Sequence, residues 1–289
     1  MRLSICIVNW NTRDYLLDCV DSLHKQPARG ADMQIIVVDN ASTDGSADAL
    51  RRDFPDVTLI ANDDNRGFAE GNNQALEIAD GEYVLLLNPD TVVHKNALTR
   101  AILHMQSNPL VGALGCRQLF PDGKTQPSLR SFPDPWPVLY EYVGLSKLFP
   151  KSRRFGAYRM TYFDYDHPGE VDQPMATFLM ISRKCLDEVG HLDPAFPIFF
   201  NDVDWCYRAK REKGWRIDYT SEVIITHYGG SSTKQVRPAM VTESHRSLIR
   251  FYRKHYRKQI PDWLYNAIVT AIRWNEKRVL RGIKAMPAS

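Results

Sequence analysis

Residues Arg2-Leu3-Ser4-Ile5-Cys6-Ile7-Val8-Asn9 form a β-rich apolar run that ends in a polar residue. The following segment has apolar side chains at helical spacing, at Tyr15, Leu16, Cys19, Val20 and Leu23. This spacing predicts an amphipathic helix. Residues 33–39 then repeat the pattern of the first strand. A strand, a helix and a second strand in this order predict a βαβ unit.

The same alternation continues through the first third of the chain. Residues 58–61 and 83–88 have the composition of strands, and residues 69–79 and 97–105 have the periodicity of helices. Strands that alternate with helices predict an α/β fold of Rossmann-like type. Its sheet is expected to be mostly parallel and covered by helices on both faces.

The second half of the chain is less regular. Residues 120–171 are rich in proline and aromatic residues and predict a long irregular insertion, such as a lid. The remaining predicted elements are strands at 175–182, 216–219 and 223–226 and helices at 184–189, 202–213, 241–256 and 263–283. We therefore expect a main domain over residues 1–236 and a basic helical C-terminal extension over residues 237–289.

The composition excludes several classes of protein. No run of about 18 apolar residues occurs, and residues 3–10 are too short for a signal peptide or a membrane span, so a cytoplasmic protein is expected. The five cysteines have no paired spacing, which predicts reduced, buried thiols. No Gly-x-Gly-x-x-Gly follows the first strand, which disfavours a dehydrogenase. We expect no nucleic-acid partner.

The charge of the chain is unevenly distributed. Residues 237–289 hold 12 Lys and Arg against three Asp and Glu, whereas residues 1–236 hold 25 against 31. A basic segment on a mildly acidic body favours contact with an anionic surface, such as a membrane or a phosphorylated carrier. A solvated helical face is an equally good interpretation of the same charges.

Polar side chains collect at the ends of three predicted strands. They are Asn9 and Asn11, Asp39 and Asn40, and Asn88 and Asp90. In an open parallel sheet, ligands bind outside the carboxyl ends of the strands, so these residues are expected to line one crevice. Asp90 can bind a hard divalent cation that also holds phosphate oxygens. Each residue alone is better explained as a turn former or a cap.

Two further residues are candidates for chemistry. Asp202 follows an apolar run and begins a predicted helix, which suits either a general base or an N-cap. Asp204 has a structural explanation, since Arg208 lies four residues further on. His227 ends a predicted strand and precedes Gly229, Gly230, Ser231 and Ser232, so it can complete a metal site, contact phosphate or be structural.

Taken together and in order, these segments resemble the inverting glycosyltransferase family 2 of the GT-A fold, in particular its rhamnosyltransferase-like branch. Several motifs in the right order are more specific than any single one. They are IVNWN at 7–11, VVDNASTDGS at 37–46, NRGFAEGNN at 65–73, LNPD at 87–90, NDVDWCYR at 201–208 and HYGGS at 227–231.

The resemblance implies a role for each matching position. Asp39 is expected to bind the nucleobase, and the other residues expected along the donor nucleotide are Asn9, Asn11, Asn40, Arg66, Gly67 and Asn88. Asp90 and His227 are expected to bind Mg²⁺ or Mn²⁺, and Asp202 to act as the catalytic base. The chain departs from the family pattern at Asn88 and Asn201, where acids are usual.

The same resemblance implies a sugar nucleotide as donor. We expect dTDP-L-rhamnose, with a UDP-sugar as the alternative, and a glycan or polyprenyl-diphosphate-linked acceptor in the synthesis of cell-surface polysaccharide. An apolar stripe on the last predicted helix favours peripheral contact with the inner face of the cell membrane, although a dimer interface or packing on the body explains it as well. A sugar-nucleotidyltransferase and a non-catalytic nucleotide-sugar-binding scaffold are alternatives of other classes.

Overall fold

A central β-sheet organises the molecule. The computed structural model describes residues 1–142, 144–229 and 237–284. Within these residues the strands are β1 Arg2–Asn9, β2 Asp32–Asn40, β3 Thr58–Asn62, β4 Tyr83–Leu87, β5 Thr91–Val93, β6 Val111–Leu119, β7 Thr125–Gln126, β8 Leu129–Arg130, β9 Gly169–Glu170, β10 Gln173–Pro174, β11 Phe178–Ser182 and β12 Arg216–His227. The small strands β8 and β10 form a separate antiparallel pair.

The strand order in the sheet is β3-β2-β1-β4-β11-β6-β12-β5. In addition, β7 pairs with β6, and β9 pairs with β12. Strands β3, β2, β1 and β4 are parallel, and β6 runs parallel to β12. Strand β11 is antiparallel to both of its neighbours, and β5 is antiparallel to β12. The prediction of a mostly parallel α/β sheet is therefore confirmed.

Helices cover both faces of this sheet, as predicted. They are α1 Arg13–Lys25, α2 Ser46–Asp53, α3 Gly67–Ile78, α4 Ala97–Ser107, α5 Pro135–Tyr142, α6 Leu145–Leu148, α7 Arg183–Val189, α8 Asn201–Tyr207, α9 Arg237–Phe251 and α10 Asp262–Lys284. Alternate residues of β1 point to opposite faces, so that Ile5 and Ile7 pack with α1 and α4, and Cys6 and Val8 pack with α3. Two hydrophobic cores result, one on each face.

The second half of the sheet differs from the prediction in two ways. Strand β6 was not predicted, because Gly112 and Gly115 interrupt its pattern. A Cβ atom at Gly115 would lie 2.3 Å from the Cβ of Pro174, so close packing requires this glycine. The two short strands predicted at 216–219 and 223–226 form one strand, β12, whose register shifts between Thr220 and Ile224.

The cysteines follow the prediction, since all five are buried and free. The described part of residues 120–171 contains the short elements β7, β8, α5, α6 and β9. The predicted domain boundary at residue 236 lies outside the described residues. Within those residues, no helix combines the length and apolar content that crossing a bilayer requires.

The C-terminal helices pack on the body of the protein. A π-helical turn, Tyr252–Tyr256, follows α9, and Tyr252 and Tyr256 are buried in the same core as Trp205 and Tyr207. Helix α10 lies against α9. The apolar stripe predicted on the last helix is buried or half-buried along its length, at Leu264, Ile268, Ile272, Val279 and Ile283. Ile272 is fully buried and Ile268 packs against the core, so this part of the stripe faces the body, as one of the alternative interpretations predicted.

Candidate active site

A cleft of about 630 Å³ opens at the carboxyl ends of β1 and β4. Six of the predicted site residues line it, namely Asn9, Asn40, Gly67, Asn88, Asp90 and His227. Trp10, Phe68, Phe120, Met175, Phe199 and Tyr228 supply aromatic and apolar surface. Polar groups converging in an apolar cleft are typical of a small-molecule site.

The first side of the cleft is built from the ends of β1 and β2. Asn9 and Asp39 are partners in the parallel ladder, so their side chains meet. Asn9 Nδ2 donates to Asp39 Oδ1 at 2.8 Å, and the backbone N–H of Ser42 donates to Asp39 Oδ2 at 2.9 Å. Asp39 is buried by these contacts and does not line the cleft. The network fixes the turn that follows β2.

Asn11 and Asn40 hold the neighbouring backbone. Asn11 has a left-handed conformation with φ of 52°, and its Oδ1 accepts from the backbone N–H of Thr43 at 2.8 Å. Asn40 Nδ2 donates to the carbonyl oxygen of Gly67 at 3.0 Å, and its Oδ1 accepts from Asn62. Asn40 therefore ties β2 to the start of α3, while Asn11 lies outside the cleft lining.

The start of α3 is packed against the loop that precedes α8. Gly67 has φ of +83°, and a Cβ atom there would lie 2.8 Å from the carbonyl oxygen of Pro197. That same oxygen accepts from the N–H groups of Phe68 and Ala69 at 2.7 and 3.1 Å. Arg66 is exposed, and its Nε donates to Asp64 at 3.0 Å, so its guanidinium is outside the cleft lining.

Asp90 and His227 meet because β5 and β12 are antiparallel neighbours. His227 is the ladder partner of Thr91, which places it beside Asp90. His227 Nε2 lies 3.4 Å from Asp90 Oδ1, and both residues are 5% exposed. His227 Nδ1 lies 2.9 Å from Oε1 of Gln126 in β7. Donation of Nδ1–H to Gln126 Oε1 would leave Nε2 facing Asp90, where it could bind a cation.

This pair fits a divalent cation that is partly held by its substrate. Within the part of the chain that the structure describes, no group of three or more His, Cys, Asp or Glu side chains could hold a metal. Among the described residues, the Asp90 carboxylate and the His227 imidazole are the side chains of these types that meet at this point. Mg²⁺ and related hard cations commonly take one or two protein ligands and complete their coordination with phosphate and water.

Asp202 lies at the first turn of α8, behind the wall of the cleft. Its Oδ2 accepts from Gln173 Nε2 at 2.9 Å and from the backbone N–H of Ala176 at 3.1 Å. Ala176 stands between Met175 and Thr177, which both line the cleft. Burial raises the pKa of the Asp202 carboxyl, while the hydrogen bonds from Ala176, Val203 and Gln173 oppose the rise.

Asp204 has a different environment on the same helix. It is fully buried and accepts from Arg208 Nε at 2.8 Å, as the spacing predicted. It also contacts Lys254 Nζ at 2.6 Å and His255 Nε2 at 2.7 Å. Burial opposes its ionisation, but the bonds from His255 and Lys254 and the charge of Arg208 hold the pKa of Asp204 below its ordinary value. Asp204 therefore anchors α8 to the C-terminal helices.

Several residues of the site were not foreseen from the sequence. Gln126, which orients His227, lies in the proline-rich insertion and belongs to no recognisable local pattern. Lys254 and His255 belong to a run of basic residues, and nothing in that run indicates a partner in α8. Gly230, Ser231 and Ser232 of the predicted glycine-rich segment lie outside the described residues.

A mostly parallel sheet between two layers of helices, with a polar cleft across its strand ends, is the architecture of a GT-A protein. Residues 4–169, more than half of the chain, match the model of glycosyl transferase family 2. The chain therefore belongs to glycosyl transferase family 2, and the resemblance found in the sequence is confirmed at the level of the family.

Curated relatives cover most of the chain at low identity. The low-salt glycan biosynthesis hexosyltransferase Agl10 of Haloferax volcanii is 26% identical over 73% of this chain and 62% of its own length. The N-acetylglucosaminyl-diphospho-decaprenol L-rhamnosyltransferase of Mycobacterium tuberculosis is 25% identical over 76% of this chain and 74% of its own length. The match thus spans less than two thirds of the Haloferax protein.

A solved structure has the same fold. It is the mannosyltransferase PcManGT from Pyrobaculum calidifontis in complex with GDP-Man and Mn²⁺. The similarity covers 100% of this chain and 76% of that chain, with a TM-score of 0.63 and 19% identity. At this identity the likeness concerns the fold, and the predicted GT-A architecture is confirmed.

Proposed function

We propose that this chain transfers a hexosyl group, with inversion, from a nucleoside-diphosphate sugar to a hydroxyl group of a glycan or lipid-linked glycan in cell-surface polysaccharide synthesis. The donor assigned here is dTDP-L-rhamnose. The observation that carries the proposal is the buried Asp90–His227 pair, 3.4 Å apart at the edge of a polar cleft. The rhamnosyltransferase relative from Mycobacterium tuberculosis supports the choice of sugar and of a lipid-linked acceptor.

The donor occupies the cleft between the ends of β1, β2 and β4. Asp39 is assigned to the nucleobase, which extends beyond the cleft lining to reach it, and the turn fixed by Asn9 and Ser42 gives Asp39 a defined position. Asn40, Gly67 and Asn88 line the cleft along the nucleotide, and Asn11 and Arg66 contact the donor outside this lining. The aromatic rings of Trp10 and Phe68 in the cleft lining provide surface for the base and the sugar.

Asp90 and His227 hold the divalent metal, Mg²⁺ or Mn²⁺. When bound, the metal neutralises the negative charge that builds up on the leaving diphosphate. Gln126 keeps the proton on His227 Nδ1, so that Nε2 serves as the ligand. The wall of Phe199, Met175 and Phe120 limits the access of water to the reacting atoms.

Asp202 takes the proton of the acceptor hydroxyl. Its carboxylate is fixed by hydrogen bonds to Oδ2 from Gln173 and Ala176, which orient it beside the cleft wall. Burial raises its pKa, and a carboxylate with a raised pKa is a stronger base than an exposed one. The nucleophilic oxygen then attacks the anomeric carbon from the side opposite the diphosphate.

The acceptor is reached at the inner face of the cell membrane, and the outward side of α10 provides the contact. Trp263 and Trp274 are 69% and 62% exposed. They are eleven residues apart, and Arg281 follows seven residues later, so all three lie on one side of the helix. Lys277 and Arg278 are exposed nearby. Tryptophan favours the membrane interface, and basic residues favour anionic lipids.

Nucleotide binding tests the donor half of the proposal. Calorimetric titration of dTDP, UDP and GDP, with and without Mn²⁺, is to be carried out on the wild type, on Asp90→Ala and on His227→Ala. We expect metal-dependent binding that both substitutions abolish, with dTDP the tightest ligand. Asp122→Ala, an exposed acid of the insertion, is the matched control and is expected to bind as the wild type does.

Each result of this titration has a defined meaning. Tighter binding of UDP than of dTDP would retain the glycosyltransferase and replace rhamnose by the sugar of a UDP donor. Binding that does not respond to Mn²⁺ or to Asp90→Ala would contradict the metal site. A wild type that binds none of the nucleotides would contradict the proposed glycosyltransferase and favour a protein that retains the fold without binding a nucleotide.

A further inference from the structure

Arg130 is paired in the small β8–β10 sheet with the residue that holds the proposed catalytic base. Arg130 in β8 is paired with Gln173 in β10, in antiparallel register. Directly opposed residues of an antiparallel pair project from the same face, with their Cβ atoms about 5 Å apart. Gln173 Nε2 in turn donates to Asp202 Oδ2 at 2.9 Å. Arg130 is therefore the neighbour of the residue that holds Asp202.

Arg130 has no acidic partner among the residues that the structure describes. Its Nη1 donates to the carbonyl oxygens of Leu129 and Pro127, at 2.6 and 3.4 Å, and its Nε and Nη2 groups make no further hydrogen bond there. The nearby carboxylate of Glu141 already accepts from Arg159 and Ser146. A half-buried cation without a counterion costs free energy, which an arriving anion would offset.

Tyr158 adds a second polar group to this position. Its carbonyl oxygen accepts from the backbone N–H of Ser131, the residue after Arg130, at 3.0 Å. The hydroxyl also interacts electrostatically with Arg130 and Asp202. Burial raises the pKa of the Tyr158 hydroxyl, which keeps it neutral and able to donate. Within the described part of the chain, no hydrogen bond satisfies this hydroxyl. Arg130 and Tyr158 thus offer unused donors on the side of β8 and β10 that carries Gln173, the partner of Asp202.

We propose that Arg130, assisted by Tyr158, binds a phosphate group carried by the acceptor and so positions the acceptor hydroxyl at Asp202. The fork of a guanidinium matches two oxygens of a phosphate, which gives orientation as well as affinity. The donor diphosphate is assigned to Asp90, in the turn before β5, and to His227, at the end of β12, so the two phosphate positions belong to different elements. This inference rests on the proposed role of Asp202.

The phosphate can come from a lipid carrier or from the glycan itself, and two probes distinguish these sources. Geranyl diphosphate represents the carrier, and glycerol 3-phosphate represents a glycan phosphate. Each is titrated into protein saturated with Mg²⁺ and the nucleoside diphosphate that binds best, and ³¹P NMR line widths report binding. The resonances of the nucleotide show in the same spectra that it stays in its site.

Three variants test the residue. Arg130→Gln is expected to weaken binding of the preferred probe at least tenfold, and Arg130→Lys to weaken it about threefold, because lysine keeps the charge without the fork. Arg154→Gln is the matched control, since Arg154 is an exposed arginine of the same insertion without a carboxylate partner among the described residues. The affinity for the nucleotide is expected to stay unchanged in all three.

The outcome separates this proposal from the proposed function. Wild-type protein that binds the nucleotide but neither phosphate probe would overturn the Arg130 site and leave the donor site intact. Equal affinity of the wild type and Arg130→Gln for both probes would overturn it too. Where Arg130→Gln does not fold, Arg130→Lys decides, and unchanged probe affinity in that variant contradicts the site.

Discussion

His227 Nδ1 lies 2.9 Å from Gln126 Oε1, while His227 Nε2 lies 3.4 Å from Asp90. A residue of the irregular insertion thus sets the tautomer of a histidine on the central sheet. Partners of this kind hold the ring of a ligand histidine in place and raise its basicity. Gln126 is therefore a positioning residue for the proposed metal site.

Replacing Gln126 tests this relationship. Gln126→Leu removes the acceptor for Nδ1–H, so we expect the affinity for Mn²⁺ in the presence of the nucleotide to fall about 10- to 100-fold. Gln126→Glu keeps an acceptor at the same place and is expected to retain most of the affinity. Mn²⁺ titrations followed by electron paramagnetic resonance measure both. Equal losses in the two variants would contradict the orienting role.

The pH dependence of transfer tests the proposed base. Asp202 must be ionised to accept a proton, so kcat/KM is expected to fall as the pH falls through its pKa, which burial raises above the ordinary value of 3.8. Gln173→Leu removes one hydrogen bond to the carboxylate, which raises the pKa further. The acidic limb of the profile is then expected to move to higher pH.

Asp202→Asn supplies the control for this profile. We expect a loss of about 10²- to 10⁴-fold in kcat, the usual contribution of a general base, with unchanged affinity for the nucleotide. The acidic limb should also disappear in this variant. A limb that persists at the same pH in Asp202→Asn would show that another group titrates.

Much of the fold could be predicted because its signals are local. The positions of β1 and α3 follow from the apolar spacing within each segment. The polar ends of β1, β2 and β4 meet because parallel strands end at the same edge of the sheet. Strand β6 escaped prediction because Gly112 and Gly115 have low strand propensity. Both positions require glycine, because Cys185 approaches Gly112 and Pro174 approaches Gly115 from distant segments of the chain.

The candidate site was less predictable because its contacts span the chain. Asp90 and His227 come together through the antiparallel pairing of β5 with β12, which no local pattern shows. The Gln126–His227 contact joins residues 101 positions apart. The Lys254 and His255 contacts with Asp204 also depend on how the C-terminal helices pack. Local patterns therefore suggested the residues of the site, and long-range pairing determined their partners.

The buried cluster around Asp204 predicts a strong effect on stability. Asp204→Asn leaves Lys254, His255 and Arg208 without their shared carboxylate, so we expect a loss of about 3 to 5 kcal/mol in the free energy of unfolding. Urea denaturation at pH 7 measures it. Asp262→Asn, which removes an exposed partner of Arg257, is the control and should cost about 0 to 1 kcal/mol.

The same cluster predicts how the difference in the free energy of unfolding between the wild type and Asp204→Asn depends on pH. The pKa of Asp204 is lowered in the folded protein, so its stabilising effect is complete above the ordinary value of 3.8 and is lost as the pH falls through the lowered value. The gap in stability between the wild type and Asp204→Asn should therefore narrow at acidic pH. A gap that stays constant down to acid unfolding would contradict the ionised cluster.

Membrane contact through α10 is tested with vesicles. Trp263 and Trp274 are exposed on the side that carries Arg281, and the apolar stripe of the helix faces α9 instead. We expect the wild type to sediment with vesicles of phosphatidylglycerol and phosphatidylcholine, and the double variant Trp263→Ala, Trp274→Ala to remain in the supernatant. High salt should release part of the wild type by screening the basic residues.

Trp136→Ala is the control. It removes a tryptophan that is 57% exposed on α5 and should sediment as the wild type does. Equal sedimentation of the double variant would contradict a role of the surface tryptophans in membrane contact.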